Sequence, residues 1–149
     1  WLGHPLFRNS KEPIVVLTAD NICDVRLHDY VNEFNRLANT TCMLVPVDPL
    51  PSVDGDFIEI DDEHRVISLS RSHPTHLYAS GIQVLCPKNL QRYIRLSGYS
   101  DKFDFTALWA CLIEQKMLFA STNKPASWFS VDTVEQLIWA QAKFGSDGI

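Results

Sequence analysis

Ile14, Val15, Val16 and Leu17 follow one another without a polar interruption and lead into Thr18-Ala19-Asp20-Asn21. A run without alternation is the pattern of a strand covered on both faces, so it predicts a buried parallel strand over 13–18. Asp20 then stands at the strand's carboxyl end, where open α/β sheets place their ligands. Its carboxylate either caps the next turn or carries chemistry. Beyond an acidic loop, Leu27, Tyr30, Val31, Phe34 and Leu37 recur at helical spacing and predict a helix over 27–37 with one face on a sheet.

The apolar run 42–47 predicts a second strand, closed by Asp48-Pro49-Leu50-Pro51-Ser52-Val53-Asp54-Gly55, a turn-rich loop long enough to act as a lid. Segments 57–60 and 65–69 flank the polar Asp61-Asp62-Glu63-His64 and predict a hairpin. Another strand follows over 77–85. Pro87 suits the first turn of a helix carrying Leu90, Tyr93 and Ile94 and ended by Gly98. Over 103–117, Phe105, Leu108, Trp109, Leu112 and Ile113 form a core stripe, with Asp101 or Asp104 as cap. Short strands at 118–120 and 128–129 precede a closing helix over 133–144 that bears Leu137, Ile138 and Trp139. Strands alternating with helices indicate an α/β chain, a three-layer α/β/α sandwich forming a single domain over 1–149.

Composition narrows the function classes. With 149 residues and 46% apolar content the chain can build one sizeable core, and no segment approaches the ~18 apolar residues of a membrane span. The net charge of −5 comes without a Lys/Arg cluster, which argues against nucleic acid as a partner and leaves anionic substrates to a local basic site. Cys23, Cys42, Cys86 and Cys111 are widely spaced, and the last three sit in apolar surroundings suited to buried free thiols. A reducing, cytoplasmic setting is expected, and no signal peptide is visible. Cys23 is close enough to Asp20 to be a redox candidate, with an ordinary thiol as the plainer reading.

Other polar clusters carry less. His73 and His76 flank Pro74, a spacing that does not place both imidazoles on one helical face for a metal. Asp61-Asp62-Glu63 lacks the glycine and spaced ligands of a calcium loop and reads as a solvated turn. Ser130 lies outside any Gly-x-Ser-x-Gly context, so it is not read as a hydrolase nucleophile.

Four segments stand in a meaningful order: PIVVLTADN at 13–21; Gly55-Asp56-Phe57 with Asp61-Asp62-Glu63-His64-Arg65-Val66; Tyr78-Ala79-Ser80-Gly81-Ile82 followed by Cys86-Pro87; and WFSVDTVEQL at 128–137. In that order they resemble the second half of the sugar-phosphate nucleotidyltransferases, which join an NTP to a sugar 1-phosphate on a Rossmann-like, GT-A-like sheet and release pyrophosphate. The resemblance places Asp20 where the family's Gly-Asp holds magnesium, with Ala19 in place of the glycine. In the late motif Ser130 aligns with the family's first Asp and Asp132 with its Gly, so Asp132 fits the Val-Asp-Thr variant of related cytidylyltransferases. Arg71 falls near the family's Glu-Lys-Pro sugar-phosphate contact, although guanidinium and ammonium are not interchangeable there.

What the resemblance implies is a Mg²⁺-dependent transfer of an NMP group from an NTP to a sugar phosphate. Asp20 and Asp132 would be the catalytic pair and the metal ligands, since Mg²⁺ takes one or two carboxylates plus substrate phosphates. Asn21, Gly55, Asp56, Glu59, Arg71, Ser80 and Gly81 would face the substrate, the two glycines by permitting close backbone approach and Asp56 or Glu59 by accepting sugar hydroxyls. The family's opening strand and Gly-x-Gly-Thr-Arg phosphate loop have no counterpart in these residues, so the chain reads as the C-terminal two-thirds of the fold. The alternative is a catalytically inactive regulatory or interaction subunit. NTP and sugar phosphate are the expected partners, without nucleic acid or membrane, and self-association into a homo-oligomer would cover an open sheet edge.

Overall fold

A computed structural model of the chain describes residues 4–37, 40–50, 55–96 and 105–144. In chain order the elements are α1 (Pro5–Arg8), β1 (Ile14–Val16), β2 (Asn21–Asp24), α2 (Leu27–Arg36), β3 (Cys42–Val47), β4 (Phe57–Ile60) and β5 (Val66–Ser70), then β6 (Tyr78–Leu85), α3 (Pro87–Leu96), α4 (Phe105–Glu114), β7 (Leu118–Ala120), β8 (Ser127–Ser130) and α5 (Val134–Phe144). The central sheet is mixed, ordered β5-β4-β6-β3-β7, with β1 also on β6; β2 and β8 form a separate ribbon. β6 is its longest strand and runs antiparallel to β1, β3 and β4, while β3 and β7 are parallel.

Alternation along β3 divides the core into two. Cys42 and Leu44 face α3 and α4, meeting Leu90, Tyr93, Leu108 and Leu112. Met43 and Val45 face the opposite way, with Ile82 and Val84 of β6 and with Tyr30 and Phe34 of α2. Each fully buried side chain of this size contributes about 1.5–3 kcal/mol of transfer free energy. Tyr30 and Phe34 are one turn apart on α2, so a single stripe fixes that helix; Asp29 in its first turn and Arg36 in its last complement the dipole. The result is an α/β chain, as the alternation of strands and helices predicts, built on a mixed sheet.

Several readings need correction. β1 is neither parallel nor fully buried: it pairs antiparallel with β6, its residues are half-buried, and Leu17 is 41% exposed. The segment read as an acidic loop contains β2, which is a strand because Asn21, Ile22, Cys23 and Asp24 pair with Ser130, Phe129, Trp128 and Ser127. On α5 only Ala140 is buried, whereas Leu137, Ile138 and Trp139 are exposed, Trp139 lying against Phe129 at 4.4 Å between ring centres. Cys86 and Cys111 are half-buried rather than buried, and all four cysteines are free thiols. Gly98, Asp101, Asp104, and residues 51–54 of the proposed lid lie outside the described residues.

Helix α4 ends before 117 for a reason that apolar spacing does not encode. Lys116 adopts φ 56°, its N–H donates to the Ile113 carbonyl (2.9 Å), and the Met117 N–H donates to that of Leu112 (2.8 Å). This is a Schellman cap with lysine where glycine is usual. Lys116→Gly is expected to raise stability by about 0.5–1 kcal/mol by removing the left-handed strain. Urea unfolding checks this, and a stability below that of the parent chain would refute it.

Candidate active site

The site grows from a break in the β3–β6 ladder. Pro46 has no N–H to give, and the register shifts between Leu44 and Pro46, leaving the Val45 carbonyl to find another partner. Ser80 supplies it: its Oγ donates to that carbonyl (2.6 Å) and accepts from the Ile82 N–H (3.1 Å). The buried Ser80 hydroxyl is therefore committed to closing the bulge. Its carbonyl, in turn, accepts from Asn21 Nδ2 and from Trp128 Nε1 (3.0 Å). One backbone oxygen thus ties the ribbon to the sheet.

Gly81 makes this junction sterically possible. Its φ is +81°, a region closed to most side chains, and a Cβ there would lie 2.4 Å from Thr18 Oγ1 and 3.0 Å from Asn21 Nδ2. The close approach expected at this glycine is made by the protein's own Thr18–Asn21 turn. The same is true at Gly55, where a Cβ would meet the Tyr78 ring at 2.6 Å.

The ribbon carries both candidate carboxylates to one place. Asn21 pairs with Ser130, and one step further the Val131 N–H donates to the Asp20 carbonyl (2.9 Å), so Asp20 lies beside the stretch that ends in Asp132. Ser130 Oγ donates to Asp132 Oδ2 (3.2 Å). Immediately after Asp132 a capping box starts α5: the Gln136 N–H donates to Thr133 Oγ1 (3.2 Å), while Gln136 Oε1 accepts from the N–H groups of Thr133 (2.9 Å) and Asp132 (2.6 Å). Thr133 and Gln136 show that signal in the sequence. An open cavity of about 140 Å³ is lined by Thr18, Asp20, Asn21, Tyr78 to Gly81, Trp128, Ser130 and Asp132.

Asp20, Asn21, Ser80, Gly81 and Asp132 therefore come together, and Gly55, Asp56, Glu59 and Arg71 do not line this cavity. Asp56 adjoins it through its backbone, accepting from the Ala79 N–H (2.9 Å), while its carboxylate pairs with the exposed Arg71 at 3.5 Å. Glu59 points to solvent from β4. Thr18, Tyr78 and Trp128 are wall residues that reading for charged groups passed over. Tyr78 and Trp128 nevertheless stand inside the quoted segments, and their rings pack at 6.5 Å. Burial and then the Asp24 charge push the Cys23 thiol above its usual range, which disfavours the thiolate. Among the described residues no three His, Cys, Asp or Glu side chains gather as a metal cage.

A further carboxylate, not singled out in the sequence, holds the segment that leads into β8. Glu33 of α2 accepts from Ser121 Oγ (2.5 Å), the Thr122 N–H and Oγ1 (2.7 Å each) and Asn123 Nδ2 (3.0 Å), fixing the segment between β7 and β8. Burial alone would raise its pKa, but these hydrogen bonds outweigh it and hold the group below its ordinary 4.5. Because the folded value is depressed, its contribution is present above about pH 4.5 and is lost as pH falls through the folded value. Glu33→Gln is expected to cost about 1–2 kcal/mol at pH 7, a modest figure because the carboxylate is partly solvated, and to flatten the acid limb of the stability profile. Equal loss at pH 7 and at pH 3 would contradict the assignment.

No protein-family model and no curated protein matches the sequence. Solved structures do match. A Bacillus anthracis protein assigned as a glucose-1-phosphate thymidylyltransferase, in complex with a sucrose, superposes over 97% of this chain with a TM-score of 0.77 at 17% identity. This is a nucleotidyltransferase-like fold. HddC from Yersinia pseudotuberculosis superposes over 91% of the chain with a TM-score of 0.60, also at 17% identity. The chain spans 60% of the length of the first structure and 56% of the second. At this identity the nucleotidyltransferase-like fold is what is shared, and the site has to be argued from its own residues.

Proposed function

We propose that this chain forms the acceptor-side part of a nucleotidyltransferase that transfers an NMP group from an NTP to a sugar phosphate and releases pyrophosphate. The observation that carries the reading is the pairing of β2 with β8, which brings Asp20 and Asp132 to one cavity beside the carboxyl ends of β1 and β3. Their oxygen donors suit a hard cation, and two carboxylates without a third ligand suit Mg²⁺, which completes its shell with phosphates and water. Asp20 and Asp132 would hold that ion, whose chemistry when bound is to neutralise phosphate charge. The remaining work is positioning, because the acceptor phosphate is already nucleophilic.

In this reading Asn21 and Trp128 hold the Ser80 carbonyl, and so the Ser80–Gly81 wall, in place; Gly55, Asp56, Glu59 and Arg71 stand on the flank where a sugar would extend. The cytoplasm is the setting that four free cysteines suit, and no helix among the described residues is long and apolar enough to cross a membrane. One observation favours a noncatalytic role instead: among the described residues no Lys or Arg lines the Asp20–Asp132 cavity. The deciding measurement is pyrophosphate release by the longest natural form of the protein with a panel of NTPs and sugar phosphates, with and without Mg²⁺. Mg²⁺-dependent release supports transfer, and silence across the panel supports the noncatalytic subunit.

A further inference from the structure

Among the described residues, the large apolar side chains left exposed are unevenly placed. Leu17, Leu27 and Ile67 stand singly on separate segments, whereas Val134, Leu137, Ile138 and Trp139 share α5. Single exposed residues need no explanation, but a contiguous apolar patch marks an interaction surface. Val134, Ile138 and Ala142 recur every fourth residue and so form one line along the helix, all three exposed, with Leu137 beside it. At 11 residues α5 is short enough to be marginal by itself, and such helices are ordinarily held by a buried apolar face. Here only Ala140 is buried, and the apolar line points outward.

The charges on α5 define what fits that line. Glu135 in the first turn and Lys143 in the last are the helix's only charged residues, and with Trp139 between them they form a second line alongside the first. Eight residues separate the two charges, roughly 12 Å of axis, which is too far for them to pair within the helix. Neither is in an ion pair among the described residues, and Lys143 Nζ lies over the Trp139 ring at 4.6 Å from its centre. Both lines therefore read the same way about their midpoints, Ile138 and Trp139, except that the charge changes sign from one end to the other. A second copy of α5 laid antiparallel would match apolar line to apolar line and set each Glu135 against the other copy's Lys143. A parallel copy would oppose like charges.

We propose that α5 is the contact between two copies of this chain, packed antiparallel about a two-fold axis beside Ile138 and Trp139, with Glu135 of each copy paired with Lys143 of the other. The surface shares no residue with the Asp20–Asp132 cavity and does not depend on the transfer reading.

The test is sedimentation equilibrium of the full chain and of the longest natural form of the protein. A dimer is expected in both. Ile138→Glu should raise its Kd about tenfold or more and leave the circular dichroism spectrum unchanged, because the side chain is 61% exposed in the single chain. Glu135→Lys and Lys143→Glu should each weaken the dimer about fivefold, since each sets like charges face to face, and the double variant, which rebuilds both pairs in reverse, should recover most of that loss. Recovery is specific to antiparallel self-pairing: a parallel dimer opposes like charges in every variant, and a role confined to the single helix is not restored by exchange. A monomer up to about 0.1 mM in either form, a dimer indifferent to Ile138→Glu, or a double variant no tighter than the single ones overturns the proposal.

Discussion

Gly81→Ala is expected to destabilise the protein by about 2–4 kcal/mol, more than the usual cost of a single added methyl. Two terms combine. The φ of +81° penalises any L side chain by about 1–2 kcal/mol. The new Cβ would also lie 2.4 Å from Thr18 Oγ1 and 3.0 Å from Thr18 Cγ2 and Asn21 Nδ2, so the turn must move away. Moving it breaks the Asn21 bond to the Ser80 carbonyl and loosens the ribbon. The terms separate in a double-mutant cycle: Thr18→Ala should recover part of the steric cost in the Gly81→Ala background and leave the backbone term. Urea unfolding gives both values, and a Gly81→Ala chain within about 0.5 kcal/mol of the parent would show that the turn does not rest on Gly81.

Under the proposed transfer activity, Asp20→Asn and Asp132→Asn are each expected to lower turnover by about 100-fold or more while folding stability stays near that of the parent. Stability should hold because both residues are exposed, and the hydrogen bond that Asp132 accepts from Ser130 at 3.2 Å is one that asparagine can still accept. Activity should fall because an amide oxygen keeps the shape of the ligand but loses the charge that attracts a hard cation. A rise in the Mg²⁺ concentration needed for half-maximal release would identify the loss as one of metal binding. Ser130→Ala, which removes only the bond that orients Asp132, should lose far less. Unchanged turnover in both asparagine variants would sink the metal assignment even if the chain proves to be an enzyme.

Much of the architecture could be read from local pattern. Tyr30 and Phe34 of α2, the run in β3, the hairpin about Asp61-Asp62-Glu63-His64 and the Leu108/Leu112 stripe of α4 all appear where apolar spacing places them. Each of these elements buries its own periodic face, so a short window contains the signal. β2 is different. Asn21-Ile22-Cys23-Asp24 is polar at both ends and becomes a strand only because β8, more than a hundred residues later, supplies its ladder. β1 failed in the other direction: four apolar residues in succession indicate a strand but say nothing of its partner's direction or of how completely it is covered. The exposed Leu137 and Ile138 of α5 show the same limit, since an apolar side chain does not guarantee a covering partner.

For the site, the sequence alone determined which groups are available: two carboxylates at the ends of apolar segments, a serine-glycine pair in a strand, and a Thr-x-x-Gln cap after Asp132. These are matters of residue type and local spacing. Only the tertiary structure decided what each of them does. The Ser80 hydroxyl is spent on the bulge that Pro46 enforces, Gly81 admits Thr18 and Asn21 across its missing side chain, and Asp56 pairs with Arg71 outside the cavity. The physical reason is that hydrogen-bond satisfaction and steric fit are settled between residues far apart in the chain. Asp20 and Asp132 meet because an antiparallel register, not their own neighbourhoods, carries one to the other.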